Sequence, residues 1–230
     1  LPLILLTAGI KPSQWDEFSH WLSNTLFIFR HDGFPGLGLP VNTSVYPVYP
    51  YALPLITYLS SKLAGGFIEN GGALANLLFH LLMAVVYIAV FRDGLRAPAA
   101  WMRRWGAAAL GLLGVTVLST TFVQKLVLSA YADSTTAVTL AVMGVLAWKI
   151  LETLAGGEAD NKAKARSLAW QFAWIAVALL NLKQANLALL GMVLVGMFLV
   201  AKEDSKIRLA GVLRLLPVMV LPGLAVYSVW

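Results

Sequence analysis

The stretch that decides the fold is LAWQFAWIAVALLNLKQANLALLGMVLVGMFLVA, residues 168–201. A membrane-spanning helix needs about 20 mostly apolar residues, within a range of about 17–25. These 34 residues are too many for one span, and polar side chains gather near the middle, from Asn181 to Asn186. We therefore predict two short spanning helices, 168–182 and 184–201, that meet at a tight turn.

The composition of the whole chain leads to the same class of protein. Of the 230 residues, 59% are hydrophobic and 12% are charged, whereas soluble domains average roughly 45–50% and 25%. A soluble protein of this size could not cover its surface with so few charges, and disordered chains are far less apolar. The basic residues form no single patch interleaved with aromatic ones, so we expect no nucleic-acid partner. The chain has no cysteine, which excludes disulfides, thiol catalysis and Cys-zinc sites.

Apolar segments recur along the chain, and we expect residues 1–230 to form a single all-α transmembrane domain. The seven predicted spans are 1–10, 72–91, 106–123, 134–154, 168–182, 184–201 and 209–230. Residues 1–10 are too few for a complete span and do not begin with Met, which indicates a fragment of a longer protein. Residues 51–64 contain Pro54 and end near Lys62, so we predict an interfacial or re-entrant helix there and not a crossing.

Positive charge gives these spans a sidedness, because Lys and Arg concentrate in cytoplasmic loops. Of the 17 Lys and Arg, most fall in three groups of four: Arg92, Arg96, Arg103 and Arg104; Lys149, Lys162, Lys164 and Arg166; Lys202, Lys206, Arg208 and Arg214. The three groups share one side of the membrane if 51–64 does not cross. Residues 11–70 then form a long first outer loop.

The first outer loop begins with a predicted amphipathic helix over 13–30. Apolar side chains recur at helical spacing, at Trp15, Phe18, Leu22, Leu26 and Phe29. The other face is polar and carries Glu17, His20, Asn24 and His31. We expect this helix to lie in the headgroup layer, with Trp15 and Trp21 at interface depth and the polar face toward water or a cavity.

A rigid strap follows this helix, because five of the ten prolines lie between residues 35 and 54. Their fixed backbone angles favour an extended segment. Tyr46, Tyr49 and Tyr51 in the strap could stack on sugar faces or grip a lipid chain. The alternative is that they are ordinary belt residues at the membrane interface.

Each polar candidate in the outer loops has a structural interpretation beside a functional one. Ser13-x-x-Asp16 approximates a capping box, so Asp16 is either a cap or a catalytic carboxylate. Asp133 is either the N-cap of the next span or a metal or substrate ligand. Lys183 either snorkels to the headgroups or faces a cavity, where it suits a phosphate leaving group. The predicted topology places all of them on one side of the membrane.

In order and sidedness, these segments resemble the GT-C superfamily of integral membrane glycosyltransferases, which use polyprenyl-phosphate sugars as donors. The resemblance rests first on the acidic pair Asp16-Glu17 and on the outer loop with two juxtamembrane helices, 13–30 and 51–64. It rests also on Tyr131-Ala132-Asp133-Ser134 and Leu182-Lys183-Gln184. The resemblance implies a GT-C-like core of about seven transmembrane helices.

The resemblance also implies a reaction, which is inverting transfer of a sugar to a glycan, lipid or protein acceptor. Asp16 would deprotonate the acceptor hydroxyl, with Glu17 as the alternative base and His20 as the residue that positions Asp16. The reaction would take place at the periplasmic face of a bacterial inner membrane.

The remaining implied roles concern binding. Lys183 and Gln184 would hold the donor phosphate. Asp133 would help to bind a divalent cation, Mg or Mn, or would orient the donor phosphate, and this cation is the one cofactor that the resemblance implies. The substrate groove would be lined by Tyr46, Tyr49 and Tyr51.

Two other functions stay open on the residues alone. A transporter or flippase of a lipid-linked substrate would usually show paired halves with interrupted helices, and no such repeat is visible. A non-catalytic membrane assembly subunit would tolerate changes of Asp16, Glu17 and Asp133. The enzyme hypothesis requires Asp16 or Glu17 to share one cavity with Asp133, within about 10 Å.

Overall fold

The computed structural model describes residues 2–36, 38–94, 100, 104–106, 108–109, 129–156 and 160–229. Within these residues the chain is all-helical and contains no β-strand. A π-helix at Glu17–Trp21 runs directly into α2. The α-helices are α1 (Pro2–Gly9), α2 (Leu22–His31), α3 (Ala52–Ala64), α4 (Gly71–Gly94), α5 (Ala132–Ala155), α6 (Asp160–Leu182), α7 (Asn186–Glu203) and α8 (Leu209–Tyr227).

Five helices in the described part of the chain are long and apolar enough to cross a membrane. They are α4, α5, α6, α7 and α8, and their apolar stretches have mean hydropathies between 1.2 and 2.0. Each of the five coincides with a span predicted from the sequence. The chain is therefore an all-helical integral membrane protein.

Two predicted spans differ from the structure or lie beyond it. α1 has 8 residues, too few for a complete crossing of about 30 Å, as expected for residues 1–10. The predicted span 106–123 falls almost wholly outside the described residues. α6 begins at Asp160 and not at 168, because its charged first turns still bury Ala165 and Ala169 on one face. The seven-span layout stays a prediction.

Residues 168–201 fold into two helices joined by a tight turn, as predicted. α6 ends at Leu182 and α7 begins at Asn186, with residues 183–185 between them. The buried Asn186 side chain donates from Nδ2 to the Leu179 carbonyl at 2.7 Å. That carbonyl lies in the last turn of α6, where main-chain acceptors lose their helical partners. Asn186 therefore closes the turn with its own side chain.

Residues 10–70 begin and end at the same end of α1 and α4. The Asn70 amide, just before α4, donates to the carbonyl oxygens of Thr7 and Ala8 near the end of α1. Within this segment α3 has 13 residues, which at about 1.5 Å per residue span roughly 20 Å. That length is short of the hydrocarbon thickness of about 30 Å. The non-crossing prediction for 51–64 agrees with these dimensions.

The structure divides into two compact units, Leu1–Val138 and Thr139–Trp230. In the second unit α8 packs closely on α6, because Gly223 lies against Ala176 and Leu180. A Cβ atom added at Gly223 would lie 3.2 Å from Leu180 Cδ1. Small residues allow helices to approach in this way inside membranes.

In the first unit, α4 holds the backbone of residues 129–131, which we call the 129–131 segment. Asn76 is fully buried, and its Nδ2 donates to the carbonyl oxygens of Ser129 at 2.7 Å and Tyr131 at 2.8 Å. Its Oδ1 accepts a hydrogen bond from Thr135 Oγ1 at 2.6 Å. One turn earlier, a Cβ atom on Gly72 would lie 2.9 Å from Ala130 Cβ. Glycine at 72 and asparagine at 76 thus seat this segment on α4.

We expect Asn76→Ala to destabilise the protein strongly. Each buried carbonyl or hydroxyl that loses its partner carries a penalty of about 1–3 kcal/mol, and Asn76 serves three of them. Thermal unfolding in detergent measures the effect. Leu78→Ala, at an exposed position on the same helix, is the control and should change little. Equal unfolding temperatures for Asn76→Ala and the wild type would contradict the role of Asn76.

Candidate functional site

Glu17, and not Asp16, caps the first helix of the 11–70 region. Glu17 Oε2 accepts hydrogen bonds from the backbone nitrogens of Ser13 at 2.8 Å and Gln14 at 3.0 Å. Asp16 makes no side-chain capping bond. A capping box with Ser13 as its N-cap requires the helix to start at residue 14, but helical structure starts at Trp15. Because of this shift by one residue, the acid that reaches the free backbone amides of Ser13 and Gln14 is Glu17. The capping interpretation of Asp16 is wrong.

The second oxygen of Glu17 reaches a distant part of the chain. Glu17 Oε1 accepts from the backbone nitrogen of Ala130 at 2.9 Å, and only 3% of Glu17 is exposed. The carboxylate therefore receives three backbone amides, two at the helix start and one in the 129–131 segment. Bonds of this kind are charge-assisted and strong. Glu17 is a structural anchor, and Asp16 becomes the better candidate for chemistry.

The helix that carries these acids contains an unusual wide turn. Residues Glu17–Trp21 form a π-helix, in which the Leu22 amide donates to the Glu17 carbonyl. The Ser23 hydroxyl donates to the Phe18 carbonyl at 2.6 Å. Single π-turns inside helices often mark functional sites. This one brings Glu17, His20 and Trp21 to the buried side together, and the predicted interface depth of Trp21 stays a prediction.

The polar face of this helix packs inward against the strap and does not face water. Glu17, His20 and Asn24 are all buried, although His31 is exposed. Asn24 Nδ2 donates to the Tyr46 carbonyl at 3.0 Å, and Asn42 Nδ2 donates to Asn24 Oδ1 at 2.8 Å. The irregular strap has backbone groups that need partners when buried, and the polar face supplies them. This face therefore does not point to open water, and the alternative of a cavity stays a prediction.

His20 and two strap tyrosines form an aromatic cluster on that buried side. The His20 ring centroid lies 5.4 Å from that of Tyr46 and 5.7 Å from that of Tyr49. The two tyrosine centroids are 5.5 Å apart. Ser19 Oγ lies 3.1 Å from His20 Nδ1, which orients the imidazole. Tyr46 is exposed and Tyr49 is half-buried, so this cluster has an accessible side.

Tyr51 belongs to the core and not to the predicted substrate groove. Its exposed fraction is 2%, and its hydroxyl donates to the Pro47 carbonyl at 2.5 Å. Burial raises the pKa of Tyr51 to about 12. Tyr51 directly precedes α3, and its side chain is buried whereas Tyr46 is exposed.

The negative charges of Asp16 and Asp133 both affect the pKa of one tyrosine, Tyr49. The pKa of Tyr49 is raised first by burial, then by the negative charge of Asp133, by Tyr46 and by the charge of Asp16. The Asp16 backbone nitrogen also donates to Tyr131 Oη at 3.2 Å, two residues before Asp133. Two acids that lie more than a hundred residues apart in sequence are thus neighbours of one aromatic cluster. Their separation of about 10 Å or less stays a prediction.

Lys183 and Gln184 lie in the second unit, in the turn between α6 and α7. Both are partly exposed. Because α6 and α7 are antiparallel, this turn is at the opposite end from the basic residues Lys162 and Lys202. Lys162 and Lys202 thus share one end of this helix pair, and the sidedness of the basic loops stays a prediction. The role of Lys183 and Gln184 at a donor phosphate stays a prediction.

The described residues do not offer a complete metal site. Nowhere in this part of the chain do three His, Asp or Glu side chains come together as ligands. Asp133 lies in the first turn of α5, where a negative charge also stabilises the helix dipole. The binding of a divalent cation by Asp133 stays a prediction.

Asn76 was not singled out from the sequence, and Tyr131 was named only within the segment 131–134. Asn76 and Tyr131 bond to partners 55 and 115 residues away, respectively. One local feature could have identified Asn76: it is a lone amide inside an apolar span, and a polar group there usually has a defined hydrogen-bond partner.

No protein-family model, curated protein or solved structure matches this chain. The case for a function therefore rests on the residues of the site.

We expect Glu17→Gln to destabilise the first unit. Glutamine keeps one acceptor oxygen but places an amide NH₂ against a backbone donor, and an unsatisfied buried group carries a penalty of about 1–3 kcal/mol. Thermal unfolding and hydrogen exchange at the Ala130 amide report the loss. Glu69→Gln, an exposed acid before α4, is the matched control. Unchanged protection of Ala130 in Glu17→Gln would show that the anchor is not needed.

Proposed function

We propose that the chain is a membrane glycosyltransferase that moves a sugar from a polyprenyl-phosphate donor to an acceptor hydroxyl. The observation that supports the proposal is that the negative charges of Asp133 and Asp16 both contribute to the raised pKa of Tyr49, beside the exposed Tyr46. In the proposed fold, a GT-C-like core of seven spans presents this site at the periplasmic face of a bacterial inner membrane. The long 11–70 loop with its two juxtamembrane helices then covers that face.

Asp16 is the proposed general base. Its carboxylate is half-buried and takes no part in helix capping, whereas Glu17 is held by three amides. Asp16 removes the proton of the acceptor hydroxyl as the acceptor oxygen attacks the anomeric carbon. The bond from that carbon to the phosphate oxygen breaks, and the polyprenyl phosphate leaves with the electron pair. Attack opposite the leaving group inverts the anomeric centre.

Tyr46, Tyr49 and Asp133 are the proposed sugar contacts. Aromatic faces pack well on the C–H faces of sugars, and carboxylates accept hydrogen bonds from sugar hydroxyls. His20 contacts both tyrosine rings, so its proposed role is to position them and, through the same helix, Asp16. Lys183 and Gln184 are the proposed ligands of the donor phosphate, where a cation stabilises the leaving group's charge.

One observation favours a second function, that of a non-catalytic membrane assembly subunit. Most of the polar face that sequence patterning singled out is used in internal bonds, by Glu17 and Asn24 above all. An assembly subunit needs such bonds for its shape and needs no reactive carboxylate. The two functions differ in what they require of Asp16.

We expect Asp16→Asn to lower sugar transfer by about 10²–10⁴-fold, the usual contribution of a general base. The variant should fold normally, because the Asp16 carboxylate makes no capping bond and asparagine keeps an oxygen that can accept the hydrogen bond of Tyr131. The assay measures labelled sugar transferred by purified protein in liposomes, against a panel of polyprenyl-phosphate sugars. Glu69→Gln serves as the control and should retain full activity.

Two outcomes would overturn parts of this proposal. Wild-type activity in Asp16→Asn would remove Asp16 from the role of base. Failure of the wild type to use any donor in the panel, in protein shown to be folded, would favour the assembly subunit.

A further inference from the structure

The helix around Asp16 turns apolar side chains outward. Trp15 is 72% exposed and Phe18 is 55% exposed, while Glu17 between them is buried. A helix of a soluble protein has the reverse arrangement, with apolar side chains inside and charged ones outside. The exposed pair flanks Asp16 along the chain.

α3 shows the same inversion independently. Ile56, Leu59 and Leu63 are exposed, the last two by 57% and 91%, and their spacing places them along one face of the helix. Thr57 and Ser61 are buried on the other side. The Thr57 hydroxyl donates to the Leu53 carbonyl at 2.9 Å, and Ser61 Oγ accepts from the Ile68 backbone nitrogen at 3.0 Å.

We infer that these side chains insert into the bilayer, at the boundary between headgroups and acyl chains. We call the five residues the outward apolar face: Trp15, Phe18, Ile56, Leu59 and Leu63. The bilayer is the occupant because the 10–70 segment begins and ends at one end of α4, a helix that crosses it. That places the segment at the membrane surface, where tryptophan is also enriched.

The one cation on α3 fits this placement. Lys62 adjoins Leu63 and forms an ion pair with Asp32, with Nζ and Oδ1 2.7 Å apart. Its ammonium group also lies 5.0 Å from the centre of the Phe29 ring. A lysine with its charge paired and its stem on apolar surface is suited to the headgroup layer. α3 can therefore lie on the membrane without carrying an isolated charge into it.

This inference rests in part on the proposed function, because insertion of the outward apolar face sets the depth of Asp16, the proposed base. Asp16 lies between Trp15 and Phe18, so insertion of these two side chains holds Asp16 at headgroup depth. The bond between sugar and phosphate in a polyprenyl-phosphate donor lies at that same depth. The donor then reaches Asp16 along the membrane plane, with its lipid chain still in the bilayer.

Spin labels measure the depth directly, and the chain has no cysteine, so each single-cysteine variant carries one label. We would label Phe18→Cys and Leu59→Cys in liposomes of neutral lipid. Relaxation by oxygen, which partitions into lipid, is compared with relaxation by a water-soluble nickel chelate. Lys11→Cys and Glu69→Cys, both exposed in the same loop, are the controls.

The labels at 18 and 59 should respond at least several-fold more to oxygen than to nickel, and the controls should show the reverse. Both positions are exposed, so the variants should unfold at the wild-type temperature. A nickel-dominated response at 18 and 59 would overturn the inference. Dipolar broadening that disappears on dilution with unlabelled protein would overturn it too, because a second copy would then cover the face. A lipid response in protein that transfers no sugar would overturn the proposed function alone.

Discussion

The arrangement of the first unit depends on how the backbone of residues 129–131 is satisfied. This segment is irregular and buried, so its amides and carbonyls need partners supplied by other elements. Glu17 accepts from the Ala130 amide, and Asn76 donates to the carbonyls of Ser129 and Tyr131. The absence of a side chain at Gly72 lets the segment lie directly on α4. Because the same Glu17 carboxylate starts the first helix of the 11–70 region, one group fixes both Asp16 and the approach to Asp133.

The spanning helices could be predicted from local sequence because hydrophobic length alone specifies them. Composition and the polar interruption at 181–186 were enough to find the turn that Asn186 closes. The orientation of the short helices could not be predicted in the same way. Periodicity separates an apolar face from a polar one, but it does not say which face meets protein. Beside a bilayer a helix meets both water and lipid, and this polar face turned inward to internal partners: Glu17 binds backbone amides at residues 13, 14 and 130, and Asn24 binds the strap carbonyl of Tyr46.

The candidate site was partly predictable for a related reason. Asp16, Tyr49 and Asp133 were found from their residue types and from the predicted sidedness of their loops. Which of the two acids caps the helix, Asp16 or Glu17, depends on whether the helix starts one residue earlier or later. A capping motif in the sequence does not locate the helix start that accurately. Tyr51 resembled its neighbours Tyr46 and Tyr49 in sequence, and only the fold of the strap separates the core Tyr51 from the exposed Tyr46 and the half-buried Tyr49. Asn76 acts across more than fifty residues, and no local pattern encodes such a pairing.

The account stands on the proximity of Asp16 and Asp133. A cysteine-free chain allows a direct measurement with the double variant Asp16→Cys, Asp133→Cys and a bifunctional thiol reagent that spans about 10 Å, the reach expected within one site. The account predicts rapid cross-linking of this pair in the folded, membrane-embedded protein, and little for the pair Glu69→Cys, Asp133→Cys. No cross-link between positions 16 and 133, with both thiols shown to react singly, would contradict it.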